Sequence, residues 1–167
     1  MDPLPARSTD VDIHPEPFDS EGAQSVVTQA EGELTARYGF LDAGEQGLTS
    51  AQFDPPQGLF LVARPIGGGP PVGGVGLRCA IGTIGEVKRL WVHSWWRGHG
   101  IARSLMRDLE AGAREAGYTS LRLGTGPLQP EAIGLYAALG WVRQRHGWDG
   151  DPLPPGSIHF AKDISLA

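Results

Sequence analysis

Nothing constrains this chain more than residues 84–116, where an apolar strand passes through a glycine turn into an amphipathic helix. Ile84 to Val92 reads as the strand. Gly100 to Ala116 reads as the helix, with Ile101, Leu105, Met106, Leu109 and Ala113 on one face and Gly117 as its stop. Between them lies Arg97-Gly98-His99-Gly100-Ile101-Ala102. The first N–H groups of a helix have no internal acceptor, and the helix dipole favours negative charge there. Glycine at 98 and 100 lets the backbone approach an anion where a Cβ would intrude. Arg97 adds a forked cation; Arg103 and Arg107 either reach the same anion or solvate the outer helix face. The turn predicts a phosphate site, against the plain alternative of a connector without a ligand.

Two common phosphate motifs fail here. A dinucleotide fingerprint needs a third glycine where Arg103 stands, and a P-loop needs Gly-Lys-Ser/Thr, which does not follow. The net charge of −5 speaks against a nucleic-acid surface and suits a cationic acceptor. Cys79 is the single cysteine, so no internal disulfide forms; its apolar surroundings predict a buried small hydrophobe. No apolar run reaches the roughly 18 residues of a membrane span, and residues 1–10 lack a signal pattern, so a cytoplasmic protein without a membrane partner is expected.

At 167 residues the chain fits one domain, read as residues 10–167 behind a flexible terminus at 1–9. Val11 and Ile13 alternate with polar residues as a first strand. A helix follows from an N-cap at Asp19 or Ser20, carrying Ala23, Val26, Val27, Ala30, Leu34 and Tyr38, and Gly39 stops it. Residues 40–56 read as a polar loop, either a substrate lid or a tolerated insertion. Strands are expected at 58–63 and 72–80, joined by the Ile66–Pro71 turn, and at 120–123, 141–144 and 158–161. A short helix begins at Pro130. The order β-α-β-β-β-α-β-α-β-β predicts an α/β (α+β) fold with helices covering a mostly antiparallel sheet.

Two segments resemble a known family. Residues 86–102, Glu86-Val87-Lys88-Arg89-Leu90-Trp91-Val92 through Arg97-Gly98-His99-Gly100-Ile101-Ala102, resemble the acetyl-CoA-binding motif of the GCN5-related N-acetyltransferase (GNAT) superfamily. Its (Gln/Arg)-x-x-Gly-x-(Gly/Ala) signature is met by Arg97, Gly100 and Ala102. Residues 129–141, Gln129-Pro130-Glu131-Ala132 to Leu135-Tyr136 and Gly140-Trp141, resemble the family's Asn-x-x-Ala-x-x-Leu-Tyr-x-x-x-Gly-Phe segment, with Gln for Asn and Trp for Phe.

The resemblance implies a mixed, mostly antiparallel sheet of six to seven strands flanked by about four helices, its central strand bulged and splayed. It implies acetyl-CoA as co-substrate, no metal, and an amine acceptor, in a monomer or homodimer. Backbone amides at Leu90, Trp91 and chiefly Val92 would hold the thioester, those of Arg97 to Ala102 the pyrophosphate, with Gln129 and Tyr136 also at the cofactor. By the same resemblance Glu86 is the candidate base and Tyr136 the candidate acid that protonates the leaving thiolate. The alternatives are a Glu86 salt bridge, with water carrying the proton, and core packing for Tyr136. A non-catalytic acyl-CoA-binding or sensing domain and transfer of a longer acyl group, with room left by Gly73, Gly74 and Gly76, are the competing functions.

The strand poses its own problem. Val87 stands at one parity and Leu90 and Val92 at the other, so one extra residue between Val87 and Leu90 is needed to give all three the core face. Glu86 and Trp91 would then share the opposite face. His93 and His99 are candidate bases or metal ligands, against a substrate contact for His93 and a backbone role for His99. Trp95 and Trp96 either stack on adenine or lie at the surface, and Asp149 and Asp151 either attract a cationic acceptor or form a solvated turn.

Overall fold

The computed structural model describes residues 10–40 and 47–165. Seven strands form one open sheet in the order β1-β2-β3-β4-β5-β7-β6. They are β1 (Val11–Pro15), β2 (Leu59–Pro65), β3 (Gly73–Ile81), β4 (Ile84–Val92), β5 (Ser120–Thr125), β6 (Val142–Arg143) and β7 (Ile158–Asp163). Only β4 and β5 run parallel; every other pair is antiparallel. The helices are α1 (Glu21–Tyr38), α2 (Ser50–Phe53), α3 (Ile101–Glu115) and α4 (Pro130–Ala138). The expected GNAT-type architecture is therefore present.

Alternation along β2 sorts two cores onto the two sheet faces. Leu61 and Ala63 join Ile101, Leu105, Met106, Leu109 and Ala113 of α3 and Tyr136 of α4. Phe60 and Val62 face the other way, against Ala23, Val26, Val27 and Ala30 of α1. Ser20 caps α1 by accepting from the Ala23 N–H, and Gly39 ends it at φ 80°.

The 40–56 segment is only partly the polar loop expected. Residues 41–46 lie outside the described residues, as does the terminus at 1–9. The rest folds back as α2, where Phe53 is fully buried, stacked on Phe18 at 4.9 Å and edge-on to Phe60. The strand expected at 141–144 shrinks to Val142–Arg143, because Trp141 turns into the core beneath α4. Cys79 packs against the core without being fully enclosed.

The parity conflict in β4 resolves as a bulge. Gly76 pairs with Lys88 but Gly74 with Trp91, so β4 carries one extra residue there. Arg89 sits at the kink with φ 59°, a left-handed conformation costing a non-glycine residue about 1–2 kcal/mol. Beyond it Val92, with Leu90 partly, joins Val87 on the α3 face, while Trp91 turns to α1. Gly73, Gly74 and Gly76 serve this packing and do not line the cleft. A Cβ on Gly74 would meet the Leu61 carbonyl oxygen and Val26 at 2.8 Å, and one on Gly76 would meet Phe53 at 2.8 Å.

Candidate active site

The parallel pairing of β4 with β5 lasts three rungs, from Ile84–Ser120 to Glu86–Arg122, and then stops. Past that point the strands diverge, and a cleft of about 920 Å³ opens between them. The 87–92 half of β4 lines one side and the segment from Leu123 to Gln129 the other; Tyr136 of α4 stands in the wall.

At the outer end of the β4 wall, a short 3-10 turn (Ser94–Trp96) leads to Gly98 at φ 80° and Gly100 at φ 85°. These glycines are required by their left-handed backbone; a Cβ on Gly98 would meet no atom. Their conformation leaves the N–H groups from Gly98 to Arg103 without a protein acceptor among the described residues, and the first helical bond runs from Ser104 to Gly100. The row starts one residue later than expected, since the Arg97 N–H reaches the Ser94 carbonyl at 3.4 Å. Unpartnered N–H groups at the start of a 15-residue helix suit a phosphate.

The Arg97 guanidinium does not project freely from this turn. Its Nε donates to the Val92 carbonyl at 2.7 Å and its Nη2 to Glu33 of α1. Arg103 lines the cleft, whereas Arg107 is exposed. Ile101 is buried under the turn and Ala102 lines the cleft; the His99 side chain does not reach it. His93 caps the 3-10 turn by accepting from the Trp95 N–H at 3.1 Å, Trp95 is exposed, and Trp96 lines the cleft.

Tyr136 is almost wholly enclosed, between Trp141 at 5.9 Å and Phe160 at 5.7 Å. Its hydroxyl has no hydrogen-bond partner among the described residues, and burial pushes it above the usual phenol range, so it stays protonated. Gln129 lines the cleft but spends its Oε1 on hydroxyl groups, accepting from Tyr38 at 3.2 Å and Thr125 at 3.1 Å. Glu86 faces the cleft near its apex. Its Oε1 accepts from Arg78, its cross-strand partner, at 2.8 Å and 2.6 Å, and its Oε2 lies 3.9 Å from Arg122.

Several lining groups carried no signal in the sequence. The C-terminal half of α1 spans the cleft. On the β4 side Glu31 holds Arg89 at 3.1 Å, and Glu33 holds the Trp91 indole at 3.1 Å and Arg97. On the far side Arg37 donates to the Leu128 carbonyl at 3.0 Å and pairs with Glu131, while Tyr38 accepts from the Leu128 N–H at 3.1 Å. The sequence pattern shows Tyr38 only as part of an apolar helix face. Near the apex, Trp148 and His159 line the cleft, whereas Asp149 and Asp151 are exposed and do not.

This geometry agrees with the comparisons. A family model described as acetyltransferase (GNAT) family matches residues 23–141. The chain belongs to the GNAT acetyltransferase family. An IAA acetyltransferase of Azospirillum brasilense is 36% identical over 121 residues, which cover 71% of this chain and 78% of that one. Among solved structures, an acyl-CoA N-acyltransferase described as putative, from Klebsiella pneumoniae, superposes with a TM-score of 0.74 at 22% identity, covering 93% of this chain and 98% of that chain. A GNAT acetyltransferase from Elizabethkingia anophelis, with acetyl-CoA bound, gives a TM-score of 0.63 at 19% identity over 92% of this chain and 98% of that one. As a member of this family the chain is an acyltransferase. None of its described helices is long and apolar enough to cross a membrane.

Proposed function

We propose that this GNAT member transfers an acetyl group from acetyl-CoA to a primary amine of a small molecule or protein, by direct attack within a ternary complex. The observation that carries the reading is the forked β4–β5 cleft, with unpartnered amides at its outer end and a neutral phenol in its wall. The Gly98–Arg103 amides would hold the pyrophosphate, and the backbone around Val92 the pantetheine and thioester. As the amine nitrogen bonds to the carbonyl carbon, the C–S bond breaks and its electron pair passes to sulfur. Tyr136 then donates its proton to the thiolate. The amine proton must also leave; the resemblance gives it to Glu86 or to water, and Glu86 lines the cleft with its Oε1 already paired to Arg78.

The Tyr136 hydroxyl, in the cleft wall and free of protein hydrogen bonds among the described residues, favours an enzyme over a silent acyl-CoA sensor, since a binding domain has no need of a proton donor there. We read residues 10–167 as one acetyltransferase domain acting in the cytoplasm, as monomer or homodimer. The test is release of free thiol from acetyl-CoA across a panel of amino acids, polyamines, arylalkylamines and lysine peptides, with longer acyl-CoAs in parallel. Amine-dependent release supports the reading. Tight CoA binding with no release above hydrolysis for any amine overturns it, and preference for a longer acyl chain overturns the acetyl assignment.

A further inference from the structure

His159 occupies a position the mechanism so far leaves unused. It pairs with Gly124 across β5 and β7, two residues past the last β4–β5 rung at Arg122, so it stands where the fork has just opened. Its neighbour there has no side chain. The Cδ2–Nε2 edge of the imidazole lies over Gly124, 3.5 and 3.6 Å from where a Cβ would stand, and both residues line the cleft. Trp148 stacks on the ring at 4.2 Å with a 10° interplanar angle, which fixes its plane. The residue is 7% exposed, and its Nδ1 is buried without a hydrogen-bond partner among the described residues.

The buried Nδ1 left unpartnered costs about 1–3 kcal/mol, and Nε2, on the edge over Gly124, makes no protein hydrogen bond among the described residues and is the nitrogen left to meet a ligand in the cleft. The charges acting on the ring come from two neighbouring strands. Arg122 of β5 and Lys88 of β4 oppose its protonation, and Glu86 of β4 favours it. Burial is the largest influence and, together with Arg122 and Lys88, holds its pKa below the ordinary histidine value. The ring is therefore neutral at pH 7 and able to accept a proton. Glu86, by contrast, is committed to Arg78 and beside Arg122.

We propose that His159 is the general base of the transfer, taking the acceptor amine's proton directly or through one water, while Glu86 frames the site by holding Arg78 and Arg122. This rests on the amine-acetyltransferase reading above. The nitrogen's proton moves to the imidazole as the N–C bond forms. The thiolate takes its proton from Tyr136, and the proton released from the imidazolium to solvent is matched by one that the Tyr136 phenolate regains from solvent as the products leave.

The experiment compares pH–rate profiles of wild type, His159→Gln and Glu86→Gln, using the best acceptor of the amine panel. In the wild type, kcat/KM rises with pH through an inflection below about 6.5. His159→Gln loses that inflection and about a hundredfold or more in kcat, with CoA affinity within about twofold; Glu86→Gln keeps the inflection. Near wild-type turnover in His159→Gln, or loss of the inflection in Glu86→Gln alone, overturns the assignment. No amine transfer by wild type overturns the acetyltransferase reading and the base role with it. Should His159→Gln fail to fold, an NMR titration of wild-type His159 decides: a neutral ring at pH 7 upholds the proposal, a charged one overturns it.

Discussion

Tyr136→Phe should separate chemistry from packing more cleanly than any other substitution in this fold. The hydroxyl it deletes makes no protein hydrogen bond, while the ring it keeps holds the contacts to Trp141 and Phe160. Stability should therefore change by less than about 1 kcal/mol, or about 2–4 °C in Tm for a chain of this size. CoA affinity should be unchanged within a few-fold. Turnover should fall by about 10²–10⁴, the range for loss of a positioned acid; at 1.36 kcal/mol per decade that is a barrier increase of about 2.7–5.5 kcal/mol. Ionisation provides a second check. Burial raises the folded-state pKa of this phenol above that of the unfolded chain. Its contribution to stability is thus complete below about pH 10 and is lost as pH climbs further. Wild type should lose stability relative to Tyr136→Phe above that pH. Thiol-release kinetics, CoA calorimetry and urea melts at pH 7.5 and 10.5 cover all four quantities. Wild-type turnover in a folded Tyr136→Phe protein would refute the acid role.

Two further perturbations test the frame around the site. Glu110 is buried on α3 and binds Lys162 at 2.8 Å and Arg114 at 3.5 Å, so Glu110→Ala leaves the Lys162 ammonium only the Leu139 carbonyl at 2.8 Å; we expect a loss of about 1.5–3 kcal/mol in urea melts, and no measurable loss would contradict the pairing. Gly100→Ala forces a Cβ onto φ 85°, at a cost of about 1–2 kcal/mol. That cost should emerge as lower stability if the turn holds, or as about 5–30-fold weaker CoA binding if it relaxes; thermal melts and calorimetry agreeing with wild type would contradict it.

The parts of the site that the sequence made legible are local. A strand, a glycine turn and a helix lie within 32 residues, so periodicity and turn chemistry point to the same element boundaries. The β4 bulge was readable for a related reason: Val87, Leu90 and Val92 cannot share a face unless one residue is added. Arg97 shows the limit of such reasoning. Its place in the turn was foreseeable, but the partner that turns its guanidinium aside is Glu33, 64 residues away. The same distance in sequence hid Tyr38, whose hydroxyl meets Leu128 and Gln129 about 90 residues on. Phe53 was hidden because it stands thirteen residues from Phe40, the nearest other aromatic in its polar stretch, and so has no period; only Phe18 and Phe60 reveal its side. His159 belongs to no motif, and its role depends on where the parallel pairing of β4 and β5 ends.

The hold of α1 on both sides of the fork makes one helix a gauge for the width of the gap. Glu31 and Glu33 grip one jaw, Arg37 and Tyr38 the other, about one turn apart. A residue inserted between Glu33 and Arg37 would rotate the second grip by about 100° and free that jaw. A conservative change on the exposed face of the same helix would leave the spacing alone. A change in the phase of this helix would therefore alter the width of the fork without a single change to the Gly98–Gly100 turn.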